Sequence, residues 1–71
     1  MITSDTQRAI IQRQIDEWEQ ARYHAEVAHR VHTKLKSGDA ALKDFADRMI
    51  KAEMALDELQ AMLKELTDGR V

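Results

Sequence analysis

An unbroken heptad repeat in the second half of the chain predicts an all-α protein built from long packed helices. Apolar residues recur there at alternating steps of three and four, and we call them the second seam: Leu42, Phe45, Met49, Ala52, Leu56, Leu59, Leu63 and Leu66. This spacing is typical of a helix that packs lengthwise along another helix. The chain also has no proline and only two glycines, so few residues interrupt a helix.

The first half of the chain predicts a helix over about residues 5–36. Ser4 and Gln7 fit a capping box, in which each side chain bonds the backbone amide of the other residue. Lys34 and Lys36 fall in the last turn, where the helix dipole favours positive charge. The residues that we expect on the packed side again recur in threes and fours: Ile11, Ile15, Trp18, Ala21, Ala25, Ala28, Val31, His32 and Leu35.

The only break between the two patterns is a Ser-Gly-Asp turn at 37–39. Gly38 is expected to take the left-handed conformation that ends the first helix. Asp39 is expected to cap a second helix over about residues 40–67, with Gly69 as its stop signal. A connection this short makes the two helices antiparallel neighbours.

The two patterns can be matched against each other, residue by residue. In an antiparallel pair, residues at equal height have numbers with a constant sum, which is 77 if Leu35 lies opposite Leu42. The other expected pairs are then His32–Phe45, Ala28–Met49, Ala25–Ala52, Ala21–Leu56, Trp18–Leu59 and Ile11–Leu66. This match along both helices predicts a coiled-coil-like antiparallel hairpin.

A chain of 71 residues makes a single helical-hairpin domain over residues 1–71, and so short a chain struggles to bury a sufficient core. Tyr23 and Val27 fall on the outer side of the first helix, and Ile50 and Met54 on the outer side of the second. Scattered apolar residues are normal on a surface. The alternative is that these four form a partner interface. We expect the hairpin to assemble into a homodimeric four-helix bundle or a tetramer.

Catalytic chemistry has little basis in this sequence. The chain has no cysteine, its only serines, Ser4 and Ser37, have capping roles, and there is no glycine-rich phosphate loop. We therefore expect no enzyme activity, no catalytic residue and no cofactor. The chain also shows no secretory signal and no apolar run of about 20 residues, so we expect a cytoplasmic protein that does not enter a membrane.

Three histidines raise the alternative of a metal site. Glu26 and His29 form the Glu-x-x-His pattern of di-iron carboxylate bundles, and Glu53 is the only glutamate near the inner side of the second helix. Two features of the geometry argue against such a site. Glu26 lies off the packed side, and Glu53 is level with His24 rather than with His29. The preferred interpretation is that His24 pairs with Glu53 while His32 packs near the seam.

Charge asymmetry raises the alternative of a nucleic-acid-binding regulator. Residues 22–51 hold seven Lys/Arg against four Asp/Glu, hence +3, and the rest of the chain carries −5. Small antiparallel hairpin dimers that bind RNA are known, but this is a likeness of architecture alone. The basic residues at the loop end are interleaved with acidic residues, and a row of stacking aromatics is lacking.

Together these observations predict a small non-enzymatic oligomerising adaptor, or protein-interaction module. Its partners would be other copies of itself and another protein. A nucleic-acid-binding regulator that uses the basic loop end, and a His/carboxylate metal site in a bundle, are the alternatives.

Overall fold

The computed structural model describes residues 2–68. Helix α1 spans Ser4–Lys34 and helix α2 spans Asp39–Thr67, and the two pack antiparallel along their length. The hairpin measures 50 × 17 × 15 Å. The predicted antiparallel helical hairpin is therefore confirmed. The expected stop signal of α2, Gly69, lies outside the described residues.

The cap of α1 forms one residue earlier than the sequence predicts. The Oγ1 atom of Thr3 accepts a hydrogen bond from the amide of Thr6 at 3.2 Å, and the carbonyl of Thr3 accepts from Gln7 at 2.9 Å. Ser4 is thus the first helical residue and not the cap. The side chain of Thr3 satisfies the free amide of Thr6, whereas that of Ser4 was expected to satisfy the amide of Gln7.

The end of α1 is a Schellman motif centred on Lys36. The amide of Ser37 donates to the carbonyl of His32 at 2.9 Å, and the amide of Lys36 donates to Thr33 at 3.1 Å. These are the two hydrogen bonds that define the motif, and the residue between them is left-handed. That residue is Lys36, with φ of 58°.

Gly38 was expected to be the left-handed residue, and this expectation is wrong. Its backbone is extended, with φ of −64° and ψ of 158°, and it occupies the N-cap position of α2. Asp39 is consequently the first residue of α2 rather than its cap. The reversal thus occurs two residues earlier than predicted, and a hydrogen bond of 2.8 Å between His32 Nδ1 and Ser37 Oγ spans the motif.

Two alanines are the most completely buried residues of the hairpin's described part. Ala25 is 3% exposed and Ala52 is 1% exposed, as their expected pairing at mid-height requires. Small side chains let helix axes approach toward the short end of the usual ~8–10 Å. Near the loop, the rings of His32 and Phe45 lie 5.0 Å apart, which is again the expected pair. The register predicted from the sequence agrees with this contact and with the burial of both alanines.

The packed side of α1 differs from the predicted one in its second half. Ala21, Val31 and Leu35 were expected against α2, but all three are exposed. Arg22 and His29 are half-buried in the positions that these residues were expected to fill. The repeat simply continues at steps of three and four from the N-terminal end: Ile11, Ile15, Trp18, Arg22, Ala25, His29 and His32. Geometry outweighs polarity here, because a helix can turn only one stripe toward its neighbour.

The turn yields a first testable prediction, on Lys36→Gly. A left-handed conformation costs a residue with a Cβ atom about 1 kcal/mol relative to glycine. Lys36→Gly should therefore raise the free energy of unfolding by about 0.5–1 kcal/mol, measured by urea denaturation at one fixed protein concentration. A lower stability would contradict the assignment.

Gly38→Ala is the matched variant at the other candidate position. A Cβ atom added at Gly38 would meet nothing within 4 Å, and the extended backbone suits any residue. Alanine is a poorer N-cap than glycine but stiffens the unfolded chain, so these effects oppose each other and we expect a change of less than about 0.5 kcal/mol. If instead Gly38→Ala is destabilising and Lys36→Gly is not, the left-handed residue is Gly38.

Candidate interaction surface

The hairpin exposes much more surface than a compact protein of its mass. Its accessible surface is 5882 Å², whereas a compact monomer of 8.2 kDa exposes about 4500 Å². Its radius of gyration is 16.0 Å, against about 11 Å for a compact chain of this length. In the part of the chain that the structure describes, only four residues are buried, namely Ile11, Ile15, Ala25 and Ala52.

The four residues predicted as a partner interface are all exposed. Tyr23 and Val27 lie two positions either side of the buried Ala25, and their exposures are 66% and 42%. Two positions correspond to roughly 200° around a helix, so both side chains point away from α2. We call this pair the α1 patch.

Ile50 and Met54 have the same relation to Ala52, and we call them the α2 patch. They are 55% and 68% exposed, and they point away from α1. The α1 patch and the α2 patch therefore lie on opposite sides of the hairpin. A partner that makes a single flat contact covers one of them and not the other.

A third side of the hairpin is polar. On each helix it consists of the residues that directly follow every second residue of the packed stripe. We call it the polar face: Gln12, Glu19, Glu26 and Thr33 on α1, with Ala46, Glu53 and Gln60 on α2. Arg22 Nε contacts Glu53 Oε1 at 3.1 Å, and Arg22 Nη1 lies 3.8 Å from Glu26 Oε2. One ion pair, between Arg22 in the seam of α1 and Glu53, thus joins the two helices beside the polar face.

The contact of Arg22 with Glu53 overturns the expected pairing of His24 with Glu53. Arg22 occupies a seam position beside α2, from which a long side chain reaches Glu53 directly. His24 is exposed and lines a groove with Ala21 and Arg48 on the opposite side of the hairpin. The packed stripe fixes the orientation of α1 about its own axis. In that orientation His24 and Glu53 lie on different sides of the hairpin.

The fourth side is the one that the sequence interpretation missed. It consists of the residues that directly precede the remaining residues of the packed stripe, continued to the C-cap of α1, and we call it the alanine face: Gln14, Ala21 and Ala28 on α1, Leu35 just after it, with Ala41, Arg48, Ala55 and Met62 on α2. Two grooves place both helices on this side, because Ala21 lines one with Arg48 and Ile10 lines the other with Met62. Large apolar side chains are open to solvent here, Leu35 at 67% and Ile10 at 49%.

The histidines have separate surroundings. His32 packs on Phe45 and bonds Ser37, His29 is half-buried in the seam, and His24 is exposed. Within residues 2–68, no three His, Cys, Asp or Glu side chains come together in a group able to hold a metal ion. The metal alternative therefore gains no support from the fold of one chain.

Part of the basic charge at the loop end is already engaged. Arg48 Nη2 contacts Asp44 Oδ2 at 3.0 Å, and its guanidinium lies 5.8 Å from the centre of the Phe45 ring. Arg22 is paired with two glutamates, as described above. These contacts favour a solvated, ion-paired surface over a stripe of free cations. Neither helix of the described chain has the length and apolar character needed to cross a bilayer.

The cross-hairpin ion pair yields a second prediction, on Arg22→Glu. This change gathers three carboxylates at positions 22, 26 and 53, and both partners are more than a third exposed, so solvent screens the effect. We expect a loss of stability of about 1 kcal/mol, partly restored by adding Glu53→Arg. A double-mutant cycle by urea denaturation measures the coupling. His24→Ala is the control, and a coupling of Glu53 to His24 in place of Arg22 would refute the assignment.

No family model, no curated protein and no solved structure matches this chain. Its own residues and their geometry therefore carry the functional inference.

Proposed function

We propose that this hairpin is a small non-enzymatic interaction module that acts as an assembly of copies and binds another protein. The observation that carries the proposal is the distribution of apolar residues over three sides of a molecule with only four buried residues in its described part. Each apolar Å² taken from water is worth about 25 cal/mol. Association with further chains is the means by which so thin a molecule gains this energy.

Self-association accounts for the shape of the molecule. A hairpin buries one stripe of each helix, whereas a helix in a four-helix bundle buries a wider one. Two hairpins that pack side by side supply four helices and close the bundle with a single two-fold axis. A homodimer is the smallest assembly that covers the alanine face, and a tetramer is the next closed form.

Protein binding is assigned to the outward-facing patches. The α1 patch and the α2 patch are on opposite sides, so both are left open when two hairpins pack through one of the remaining sides. Tyr23 is suited to such a contact because an aromatic side chain brings a large area with little flexibility. Met54 is suited because methionine adapts its shape to different partners.

The assembly yields a third prediction, on solution mass. Light scattering at micromolar concentration should give at least twice the monomer mass of 8.2 kDa, because the isolated hairpin leaves its apolar sides in water. A stable monomer of 8.2 kDa would contradict the proposal.

Partner binding yields a fourth prediction, on Val27→Glu combined with Ile50→Glu. Charges at these exposed positions leave the hairpin folded but make the outward patches costly to bury. Tagged wild-type protein from its native cell should retain a protein that the double variant loses, and the loss should recur when that protein is purified and mixed with each form.

The matched control for this variant is Gln12→Glu combined with Gln60→Glu, two positions of the polar face. It adds the same two charges at exposed positions of the same two helices, so it should retain the partner. Equal retention by the double variant and the wild type, or no retained protein in either, would refute the assignment of the patches.

A further inference from the structure

We propose that the alanine face is where a second copy of this chain docks, with the loop end of one hairpin over the terminal end of the other. The inference rests on the proposed self-association, and it adds the contact surface and the orientation. In this arrangement α1 packs along α1 of the second copy and α2 along α2, each pair antiparallel.

The first argument is the contrast between the two long sides that both helices share. On the polar face, Glu53 and Glu26 are held by Arg22 from within the same chain, and burial would strip these charges of water. On the alanine face, Ala21, Leu35 and Met62 are left open to solvent. The second copy is therefore expected on the alanine face.

The residues of the alanine face repeat at steps of seven along each helix, which is the interval at which one side of a coiled-coil helix returns to the same orientation. When the second copy is reversed about its middle, Ala21 lies over Ala28 of the other copy, and Gln14 lies over Leu35. Alanines then meet in the centre of the dimer, where small side chains allow two helices to approach closely.

Charge also favours the reversed orientation. Glu58 flanks this face towards the terminal end, and Arg48, which contacts Asp44, lies on it towards the loop end. Reversal about the middle places Glu58 of one copy over Arg48 of the other. With both loops at the same end, α2 would lie over α1 of the other copy, and Glu58 would face the acidic terminal half of that helix, which costs free energy.

One long side of the hairpin has enough area for a stable dimer interface. A hairpin measuring 50 × 17 × 15 Å presents long sides of roughly 750–850 Å². A stable interface buries about 800 Å² on each partner, so one complete long side is sufficient. Full overlap of the two hairpins meets this requirement, whereas contact through one end alone does not.

The test of the surface is Leu35→Glu combined with Met62→Glu. Both side chains are more than two-fifths exposed in the hairpin, so the variant keeps its helices, checked by circular dichroism. We expect the mass at micromolar concentration to fall to 8.2 kDa. Thr33→Glu combined with Gln60→Glu adds the same charges to the polar face and should leave the assembly intact. An unchanged mass in the first variant would overturn the proposal.

The test of the orientation uses single cysteines, because the chain has none of its own. A mixture of Gln14→Cys and Leu35→Cys proteins, treated with a short bis-maleimide, should give a cross-linked dimer containing one of each. A mixture of Gln14→Cys and Met62→Cys proteins should not, since these positions meet only when both loops lie at the same end. Cross-linking of the second mixture alone would overturn the orientation, and this readout stands even if the glutamate variant fails to fold.

Failure of this inference is distinguishable from failure of the proposed function. A monomeric wild-type protein would remove both. An oligomer that is dissociated by Val27→Glu with Ile50→Glu, but not by Leu35→Glu with Met62→Glu, would place the second copy on the outward patches. That result would overturn the docking surface and leave self-association intact.

Discussion

The burial of Ala25 and Ala52 between the two helices is the constraint on which the rest of this structure depends. Both side chains are almost completely buried, so the two helices are close together and their rotation about their own axes is fixed. Once the rotation is fixed, every other position is assigned to a side. Tyr23 and Met54 face outward, Glu53 joins the polar face, and Ala21 joins the alanine face.

The register of the hairpin was predictable because it depends on a repeat that runs through both helices. For the turn, the location along the chain was predictable, but the residue that takes the left-handed conformation was not. Glycine is the usual left-handed residue at a helix end, which made Gly38 the obvious candidate. The structure assigns that conformation to Lys36, within a motif closed by backbone hydrogen bonds and by the contact between His32 and Ser37. Contacts of this kind are decided by local geometry that residue type alone does not reveal.

The outward patches were also predictable, since a residue two positions from a buried one points away from the neighbouring helix. The alanine face was missed for an instructive reason. Ala21 and Leu35 are apolar, so they were assigned to the seam in place of the polar residues Arg22 and His29. A helix that carries more apolar residues than one neighbour can cover gives two competing stripes. The repeat that begins at Ile11 and Ile15 decides between them, and the remaining stripe becomes a surface.

Small-angle X-ray scattering of the wild-type protein tests the central claim most directly, because it reports mass and length in one experiment. If two copies overlap fully along the alanine face, the mass is twice 8.2 kDa while the longest dimension stays close to the 50 Å of one hairpin. A particle of single mass, or a dimer of nearly twice that length, would contradict the account.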